Sequence, residues 1–254
     1  MNLSGKVALV TGGAQKVGRI LCLALARAGA DIAMNYWRTE EDALKTKSEI
    51  ESLNRRCLVL EDDITDIQQI NRMMVKIEKE FNRLDILVHN AGNFNKCSFL
   101  EVTEEIWESS LGVNLKGPFF VSQAAAKLML KNNSGRIIAL VGNSYYENWP
   151  EFIPHTIAKT GLAKLMQSLA VALSPNIQCS AICPASFYVA EPGLTDCFMK
   201  KRGAKYRDGY IIENGIKIHK GNAEEVAELV VFLSGCSNYL NGAVIPIDGG
   251  KHAI

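Results

Sequence analysis

The stretch KVALVTGGAQKVGRILCLALARAGADIAMNY, residues 6–36, contains two apolar, strand-like runs with a glycine-rich turn and a helical pattern between them. The first run, 6–11, leads into TGGAQKVGR at 11–19, and the second run is 31–36. Glycines between a strand and a helix let the backbone approach a phosphate, and the first turn of the helix offers free N–H groups and a partial positive charge. A glycine-rich turn alone is weak evidence. Its position at the first strand-to-helix junction of a βαβ unit is the context that indicates a dinucleotide-binding site.

The rest of the chain repeats the alternation of strand-length apolar runs with segments of helical period, which favours a parallel sheet covered on both faces. Seven strands leave no length for a second domain, so residues 1–254 are expected to form one α/β domain. The segment 184–221 has weak periodicity and many glycines and charges, which is typical of a lid or substrate loop. The predicted strands are 6–11, 31–36, 57–61, 84–89, 135–141, 177–183 and 243–247.

The helices between these strands carry recognisable start and stop signals. The helix that begins near Pro154 is expected to end at Ser174, because the residue before Pro175 is disfavoured in helical geometry. The candidate helix caps are Thr39 with Asp42 and Asn222 with Glu225 as capping boxes, and Thr65 and Thr103 as single caps.

Composition and charge exclude several classes of protein. Hydrophobic residues make up 48% and charged residues 22% of the 254 positions, as in an ordinary folded protein. A formal net charge of +1 gives no global attraction to nucleic acid or to an anionic membrane. No apolar run reaches the ~20 residues that cross a bilayer, and no signal peptide is recognisable, so a cytoplasmic location is expected. Seven cysteines without a C-x-x-C motif predict neither a disulfide framework nor a metal site, and Cys179 and Cys183, four apart in a predicted strand, are expected to be buried thiols.

Short motifs in a fixed order connect these features. They are TGGAQKVG at 11–18, DDI at 62–64, HNAG at 89–92, Asn114 within GVNLKGPFF, Lys159, CPA at 183–185 and PIDGG at 246–250. In this combination the chain resembles the short-chain dehydrogenase/reductase family over nearly its whole length. The resemblance implies a single Rossmann-type, doubly wound, parallel seven-stranded sheet with helices on both faces. It also implies a nicotinamide cofactor, a small-molecule carbonyl or hydroxyl substrate, and a homodimer or homotetramer.

The end of the second strand indicates which dinucleotide is preferred. An NAD-specific site usually has an acidic residue there, which binds the ribose 2′-hydroxyl and would repel a 2′-phosphate. Here Arg38 and Thr39 follow the strand, and Lys16 stands where the family commonly has its middle glycine, so the resemblance implies NADP(H). The alternative is that Lys16 and Arg38 are solvated surface cations.

The cofactor-binding positions carried over are Gly12, Ala14, Lys16, Val17, Gly18, Arg38, Thr39, Asp63, Ile64, Asn90, Ala91, Gly92, Lys159 and Pro184. Asp63 could instead only shape a turn, and His89 is expected to be a partly buried, satisfied histidine.

The catalytic positions of the family are only half retained. Asn114 and Lys159 match, but His155 stands at the position of the family's tyrosine and Gly142 at that of its serine, with Ser144 the nearest hydroxyl. One helical turn separates positions 155 and 159, so both side chains face the same substrate. Unperturbed imidazolium has a pKa of ~6.5 and phenol one of ~10. A nearby lysine ammonium would lower the pKa of His155 further, leaving a small charged fraction but a competent neutral base.

Three functions are compatible with this altered site. The first is an NADP(H)-dependent reductase or dehydrogenase that uses His155 or a relocated donor: Ser144, Tyr145, Tyr146 or Tyr188. The second is non-redox, lyase- or isomerase-type chemistry on a bound carbonyl compound, and the third is an inactive pseudoenzyme. Ala185 and Val189 also replace residues that the family uses near the nicotinamide, so cofactor binding is more securely retained than the standard chemistry.

The predicted lid, 184–221, bears on the substrate. It mixes aromatic residues with a basic cluster at 200–207, which indicates an anionic or carrier-linked substrate drawn by local charge. The alternative is a solvated surface loop. Tyr145, Tyr146 and Trp149 precede the active-site helix and are candidates for stacking on a substrate ring.

Overall fold

The fold is a parallel sheet with helices on both faces, seen in a computed structural model that describes residues 1–185 and 210–254. The strands are β1 Val7–Val10, β2 Asp31–Tyr36, β3 Cys57–Glu61, β4 Ile86–His89, β5 Gly135–Leu140, β6 Ile177–Pro184, β7 Tyr210–Glu213, β8 Ile216–His219 and β9 Val244–Ile247. The helices are α1 Lys16–Arg27, α2 Glu40–Ser52, α3 Ile67–Phe81, α4 Glu104–Leu111, α5 Gly117–Leu130, α6 Ile153–Ala172 and α7 Ala223–Gly235.

Seven strands form one sheet in the order β3-β2-β1-β4-β5-β6-β9, and every neighbouring pair is parallel. All seven predicted strands are therefore confirmed, with ends that shift by up to two residues. The strand order reverses direction at β1, which pairs with β2 on one side and β4 on the other. In open α/β sheets such a switch point creates a crevice beyond the carboxyl ends of the strands, where ligands bind.

The sheet is buried on both faces, which explains why its strands are continuous apolar runs. One core joins the sheet to α3, α5 and α6, and the other joins it to α1, α2 and α7. Along β1, Val7 and Leu9 lie in the first core while Ala8 and Val10 lie in the second. This period-two alternation places apolar side chains in both layers and fixes the register of the central strand.

An antiparallel hairpin of β7 and β8, which the sequence analysis does not predict, lies within the lid or substrate segment 184–221. Asn214 and Gly215 form its turn with φ angles of +50° and +79°. Positive φ at both central residues is the geometry of a tight hairpin turn, and an Asn-Gly pair is its usual sequence. The pair was therefore a readable hairpin signal that the low periodicity of the surrounding segment concealed.

Two of the four predicted caps are confirmed. The Asn222 and Glu225 side chains each bind the other's backbone N–H as a capping box, and Thr103 caps α4. The prediction for Thr39 is wrong, because its side chain makes no capping hydrogen bond. Thr65 is not a cap either, since the Asp66 carboxylate accepts from the first backbone N–H groups of α3. The end of α6 at Ala172 lies two residues before the predicted end.

No helix in residues 1–185 or 210–254 combines the length and apolar content required to cross a membrane.

Candidate active site

The glycine-rich turn after β1 forms a cradle held by the loop after β4. Gly12 has a φ of +62°, and a Cβ placed on it would lie 3.0 Å from the Ala91 Cα. A Cβ on Gly18 would lie 2.0 Å from the Gly12 carbonyl oxygen, so the first turn of α1 approaches the loop backbone more closely than any side chain permits. The Asn90 amide donates to the Thr11 and Gly12 carbonyl oxygens at 3.0 and 2.9 Å. These contacts give the cradle the shape that a phosphate-binding turn requires.

Both cations predicted to bind a 2′-phosphate have exposed side chains. Lys16 begins α1 and Arg38 follows β2, and their φ angles are +51° and +60°. Left-handed backbone is uncommon at residues other than glycine and asparagine, and such strained residues are enriched at functional sites. The Arg38 guanidinium lies 5.3 Å from the centre of the Trp37 ring. Thr39 follows directly, and no acidic residue occupies the end of β2.

Asp63 and Ile64 lie after β3. The Asp63 carboxylate accepts hydrogen bonds from the backbone N–H and the hydroxyl of Thr65, both at 2.8 Å. This is the turn-shaping role considered for Asp63, and it leaves adenine contact a prediction. Ile64 is buried in the core beside α3 and α5. Of the other predicted cofactor positions, Ala14 is buried, Val17 packs on the second core and Pro184 ends β6.

Asn114 lies in a π-helical turn, Gly112–Lys116, between α4 and α5. Such turns widen a helix locally and often occur at functional sites. The Asn114 amide donates to the Ser110 carbonyl oxygen at 2.9 Å and to the side-chain oxygen of Asn93 at 2.7 Å. Its buried Oδ1 finds no partner among the described residues. A Cβ on Gly92 would lie 2.9 Å from this Oδ1 and 3.6 Å from the Lys159 Nζ, so the small residue leaves the two groups facing one space.

Lys159 is buried on α6, and its Nζ donates to the Leu140 carbonyl oxygen at 2.9 Å. Burial disfavours its charged form and lowers its pKa to about 8. Lys159 therefore still carries its charge on most molecules at neutral pH.

His155 is buried one turn before Lys159 and is oriented by the loop after β4. Its Nδ1–H donates to the Asn93 carbonyl oxygen at 3.0 Å, so the neutral ring carries its lone pair on Nε2. Phe94 stacks on the imidazole with ring centres 4.1 Å apart, and the Trp149 ring lies parallel to it at 6.2 Å. Burial first, and the Lys159 charge second, lower the pKa of His155 to about 4. The side chain is thus a neutral acceptor near pH 7.

Asn93 is a functional residue that the sequence reasoning missed. Its backbone carbonyl oxygen accepts from both His155 and Asn114, and its side-chain oxygen also accepts from Asn114. Asn93 therefore connects the two predicted catalytic side chains. The signal was available, because Asn93 and Phe94 directly follow the HNAG motif at 89–92.

Gly142 and Ser144 lie in the loop after β5. Ser144 is buried in a short 3₁₀ turn that packs against α6, and its hydroxyl has no partner among the described residues. Gly142 has a φ of +88° and a ψ of 167°. A Cβ there would meet only the Pro184 carbonyl oxygen at 4.0 Å, so the backbone conformation, and not lack of space, requires glycine.

Changing Gly142 to serine is expected to strain the loop instead of restoring the family's hydroxyl. We expect Gly142→Ser to lower the free energy of unfolding by about 1–3 kcal/mol, because only glycine populates this backbone region readily. Urea unfolding midpoints measure the effect. Gly112→Ala is the control, since Gly112 has helical backbone and its added Cβ would lie 3.6 Å from Thr65 Cγ2. A wild-type midpoint for Gly142→Ser would contradict the expectation.

Some predicted positions are only partly supported or lie elsewhere. His89 is fully buried, with Nε2 2.8 Å from the Ser122 hydroxyl and no partner for Nδ1 among the described residues, so it is satisfied at one nitrogen only. Burial lowers the pKa of His89 to about 3. Tyr145 packs on the core, whereas Tyr146 is exposed beside His252. The predictions for Tyr188, Val189 and the basic cluster 200–207 lie outside the described residues.

Buried thiols are confirmed at Cys179 and Cys183, which share one face of β6. Within residues 1–185 and 210–254, no three histidine, cysteine or acidic side chains group as a metal-ligand set.

Comparison with known proteins agrees with this geometry. Residues 6–192 match the family model of the short chain dehydrogenases. L-rhamnose-1-dehydrogenase of Scheffersomyces stipitis is 35% identical over 98% of this chain and 96% of its own length. L-rhamnose 1-dehydrogenase (NAD(P)(+)) of Sphingomonas sp. is 31% identical over 98% of this chain and 97% of its own length. A short chain dehydrogenase from Burkholderia cenocepacia, solved in complex with NADP, superimposes with a TM-score of 0.84 at 28% identity over 98% of both chains.

The matching model spans most of the chain, and the relatives align over nearly all of it. The chain therefore belongs to the short-chain dehydrogenase family of oxidoreductases.

Proposed function

We propose that this protein is an NADP-dependent dehydrogenase that oxidises a hydroxyl group of a small polyhydroxylated molecule, with neutral His155 as the base. The observation that carries the proposal is the hydrogen bond from His155 Nδ1–H to the Asn93 carbonyl oxygen, which leaves the lone pair on Nε2. With a pKa of about 4, His155 is in its basic form on nearly every molecule at pH 7. Only about one molecule in a thousand would hold the proton that carbonyl reduction needs.

Each chain residue has a defined task in this proposal. His155 Nε2 accepts the proton of the substrate hydroxyl. The Lys159 ammonium, one helical turn away, favours the negative charge that develops on the substrate oxygen. Asn114 Oδ1, a buried acceptor without a partner among the described residues, is suited to bind a second substrate hydroxyl or a water. A low pKa also makes His155 a weak base, so the help from Lys159 is needed.

The cradle and the two exposed cations fit a dinucleotide that carries a 2′-phosphate. The turn from Gly12 to Gly18 would hold the pyrophosphate, and Lys16 and Arg38 would pair with the additional phosphate. When bound, the oxidised nicotinamide would accept the hydride from the substrate carbon. The relatives support the use of NADP, since one is an L-rhamnose 1-dehydrogenase (NAD(P)(+)) and one was solved in complex with NADP.

The substrate class is proposed from the relatives and from the aromatic wall of the site. Two relatives are L-rhamnose dehydrogenases, so a sugar is the first candidate. Phe94 and Trp149 present ring faces beside His155, and such faces suit the apolar face of a sugar ring. An anionic or carrier-linked substrate, drawn by the basic cluster 200–207, is the second candidate.

A substrate panel with NADP⁺ tests the proposal. L-rhamnose, other aldoses, a sugar acid and a carrier-linked hydroxyacyl compound are each followed by the rise in NADPH absorbance. Turnover of a sugar supports the proposal, and turnover of the acid or carrier compound alone moves the substrate class to the second candidate. Tight NADPH binding without any turnover would leave the non-redox or inactive alternatives.

The cofactor preference makes a separate prediction. Lys16→Ala and Arg38→Ala are each expected to weaken NADPH binding by about tenfold or more, because a hydrogen bond between charged groups contributes about 1.5–3 kcal/mol. NADH binding should change little, since NADH lacks the 2′-phosphate. Isothermal titration calorimetry with both dinucleotides measures the difference. Lys45→Ala, which removes an exposed cation on α2, is the matched control. Equal loss of NADH and NADPH affinity would show that Lys16 and Arg38 do not bind the 2′-phosphate.

We also propose that the chain is one domain, with 184–221 as the segment that covers the substrate, and that it assembles as a homodimer or homotetramer. The exposed apolar side chains Ile157 and Val171 on α6 support an assembly surface.

A further inference from the structure

A cluster of charged and polar side chains lies beside the aromatic wall of the site and is not used by the proposed chemistry. Its centre is Glu147, in the loop between β5 and α6. The Glu147 carboxylate accepts from Trp149 Nε1–H at 2.8 Å and from the Asn143 amide, and Lys251 Nζ lies 3.0 Å from it. Lys251 Nζ also lies 3.1 Å from the Glu213 carboxylate. The cluster thus joins the loop before α6, the C-terminal turn and the β7–β8 hairpin.

This cluster is more buried than an ordinary surface ion pair. The Lys251 side chain is only 11% exposed, and it is shared by two carboxylates. Burial alone would raise the pKa of Glu147, but hydrogen bonds from Trp149 and Lys251 outweigh it and hold the pKa below its usual value. Glu147 therefore stays ionised and provides a fixed, charge-assisted acceptor for the indole N–H.

The indole that Glu147 binds lies beside the proposed base. The Trp149 and His155 rings are within 4° of parallel, with centres 6.2 Å apart. Phe152 contacts the Trp149 ring edge-on at 6.2 Å, and Phe94 stacks directly on His155. The hydrogen bond from Nε1 to Glu147 restricts rotation of the indole about its side-chain bonds, because a hydrogen bond is more directional than ring-to-ring packing.

We propose that Glu147 is a positioning residue that holds the Trp149 indole parallel to the His155 imidazole. Lys251, near the C-terminal end of the chain, holds the Glu147 carboxylate in place. The indole then keeps water from His155 and maintains the apolar surroundings of that base. Loss of the hydrogen bond between Trp149 and Glu147 should let the indole rotate and let water reach the imidazole.

Charged and titratable groups of the described residues lie on several elements around the stack. Lys159 faces His155 from α6 itself, and the Glu147–Lys251–Glu213 cluster lies on the other side of the indole. His89 on β4 and the thiols of Cys179 and Cys183 on β6 are uncharged near pH 7, since burial depresses the pKa of His89 and raises those of the thiols. A change in the pKa of His155 after the Glu147 carboxylate is removed would therefore report solvent access to the imidazole.

The test is an NMR titration of His155 in the protein without substrate. The chain has four histidines, and the signal is assigned by its absence in His155→Gln. Glu147→Ala is expected to raise the pKa of His155 from about 4 toward its ordinary value. The rise should correspond to at least a tenfold decrease in the proton dissociation constant. Glu147→Gln keeps an acceptor for the indole N–H and should restore most of the wild-type titration. Lys251→Met should give a smaller rise in the same direction.

A double-mutant cycle separates positioning from a general structural effect. In Trp149→Phe, which has no N–H to hold, adding Glu147→Ala should produce no further rise. Glu151→Gln, which breaks the exposed pair of Lys96 and Glu151 in the same loop, is the control and should leave the titration unchanged. An unchanged His155 titration in Glu147→Ala would overturn the inference, and so would additive effects in the double mutant. If Glu147→Ala does not fold, the His155 titrations of Lys251→Met and Trp149→Phe test the inference in its place.

The inference rests on the proposed role of His155 as the base, but its test does not require turnover. A shifted titration in a protein that oxidises no sugar would support the positioning role and contradict the proposed function. An unshifted titration in a protein that does oxidise a sugar would contradict the positioning role alone.

Discussion

Replacing His155 by glutamine is expected to lower kcat for hydroxyl oxidation by about 10²- to 10⁴-fold, the usual contribution of a positioned base. A glutamine amide can still donate to the Asn93 carbonyl oxygen, but it has no basic lone pair to accept the substrate proton. Steady-state rates with NADP⁺ and the best substrate of the panel measure the loss. The thermal shift produced by NADPH should remain, because His155 lies outside the phosphate cradle. A variant with full activity would exclude His155 as the base.

The pH dependence of the wild-type enzyme provides the control for this assignment. The His155 pKa is depressed from its ordinary value to about 4, and its deprotonated form is the active one. Oxidation should therefore be constant from mildly acidic to neutral pH and be lost as pH falls through about 4. It should decline again as pH rises through about 8, where Lys159 loses its charge. In His155→Tyr the low-pH limit should move upward, because a phenol has an ordinary pKa of ~10 and must ionise to act as a base. A wild-type limit near 6.5 would indicate a solvent-exposed imidazole.

Replacing Gly18 by alanine is expected to have the largest effect on stability. The added methyl carbon would lie 2.0 Å from the Gly12 carbonyl oxygen and 2.8 Å from the Asn90 amide nitrogen. The Gly12 carbonyl belongs to the backbone, and the Asn90 side-chain amide is held by two hydrogen bonds to the cradle, so α1 must move away from the loop. We expect Gly18→Ala to lose about 3–5 kcal/mol of unfolding free energy, the range of severe core disruptions, and to lose its NADPH thermal shift.

Urea unfolding and NADPH thermal shifts measure this second prediction. Gly235→Ala is the matched control, because a Cβ there would meet Met1 Sδ at 3.4 Å, an ordinary contact. If Gly18→Ala unfolds at the wild-type urea concentration, then α1 and the loop are not as closely packed as the structure indicates.

The fold was predictable because each local signal agrees with the others. Apolar runs with both faces buried specify strands, and the intervening periods specify helices, so all seven strands of the sheet were recovered. The missed hairpin shows the limit of periodicity. Its strands are only four residues each and half exposed, and the Asn214-Gly215 pair was the one signal strong enough to reveal them.

The candidate site was predictable only as a set of positions. Motif spacing located Asn114, His155 and Lys159, but it could not state which nitrogen of His155 is free. Nor could it show that Asn93 joins His155 to Asn114, or that Gly142 has a backbone conformation that disfavours a serine. These properties depend on contacts between segments distant in the sequence, which no local pattern encodes.

The sequence by itself determined the architecture, the phosphate-binding turn and the identity of each side chain at the proposed reaction centre. Only the tertiary structure decided the protonation state of His155. Its pKa is set by burial beside Phe94 and Trp149 and by the Lys159 charge, and its tautomer is set by the Asn93 carbonyl oxygen. The physical reason is that a residue's type sets its ordinary pKa, whereas the surrounding dielectric and neighbouring charges set the value it has in the folded protein.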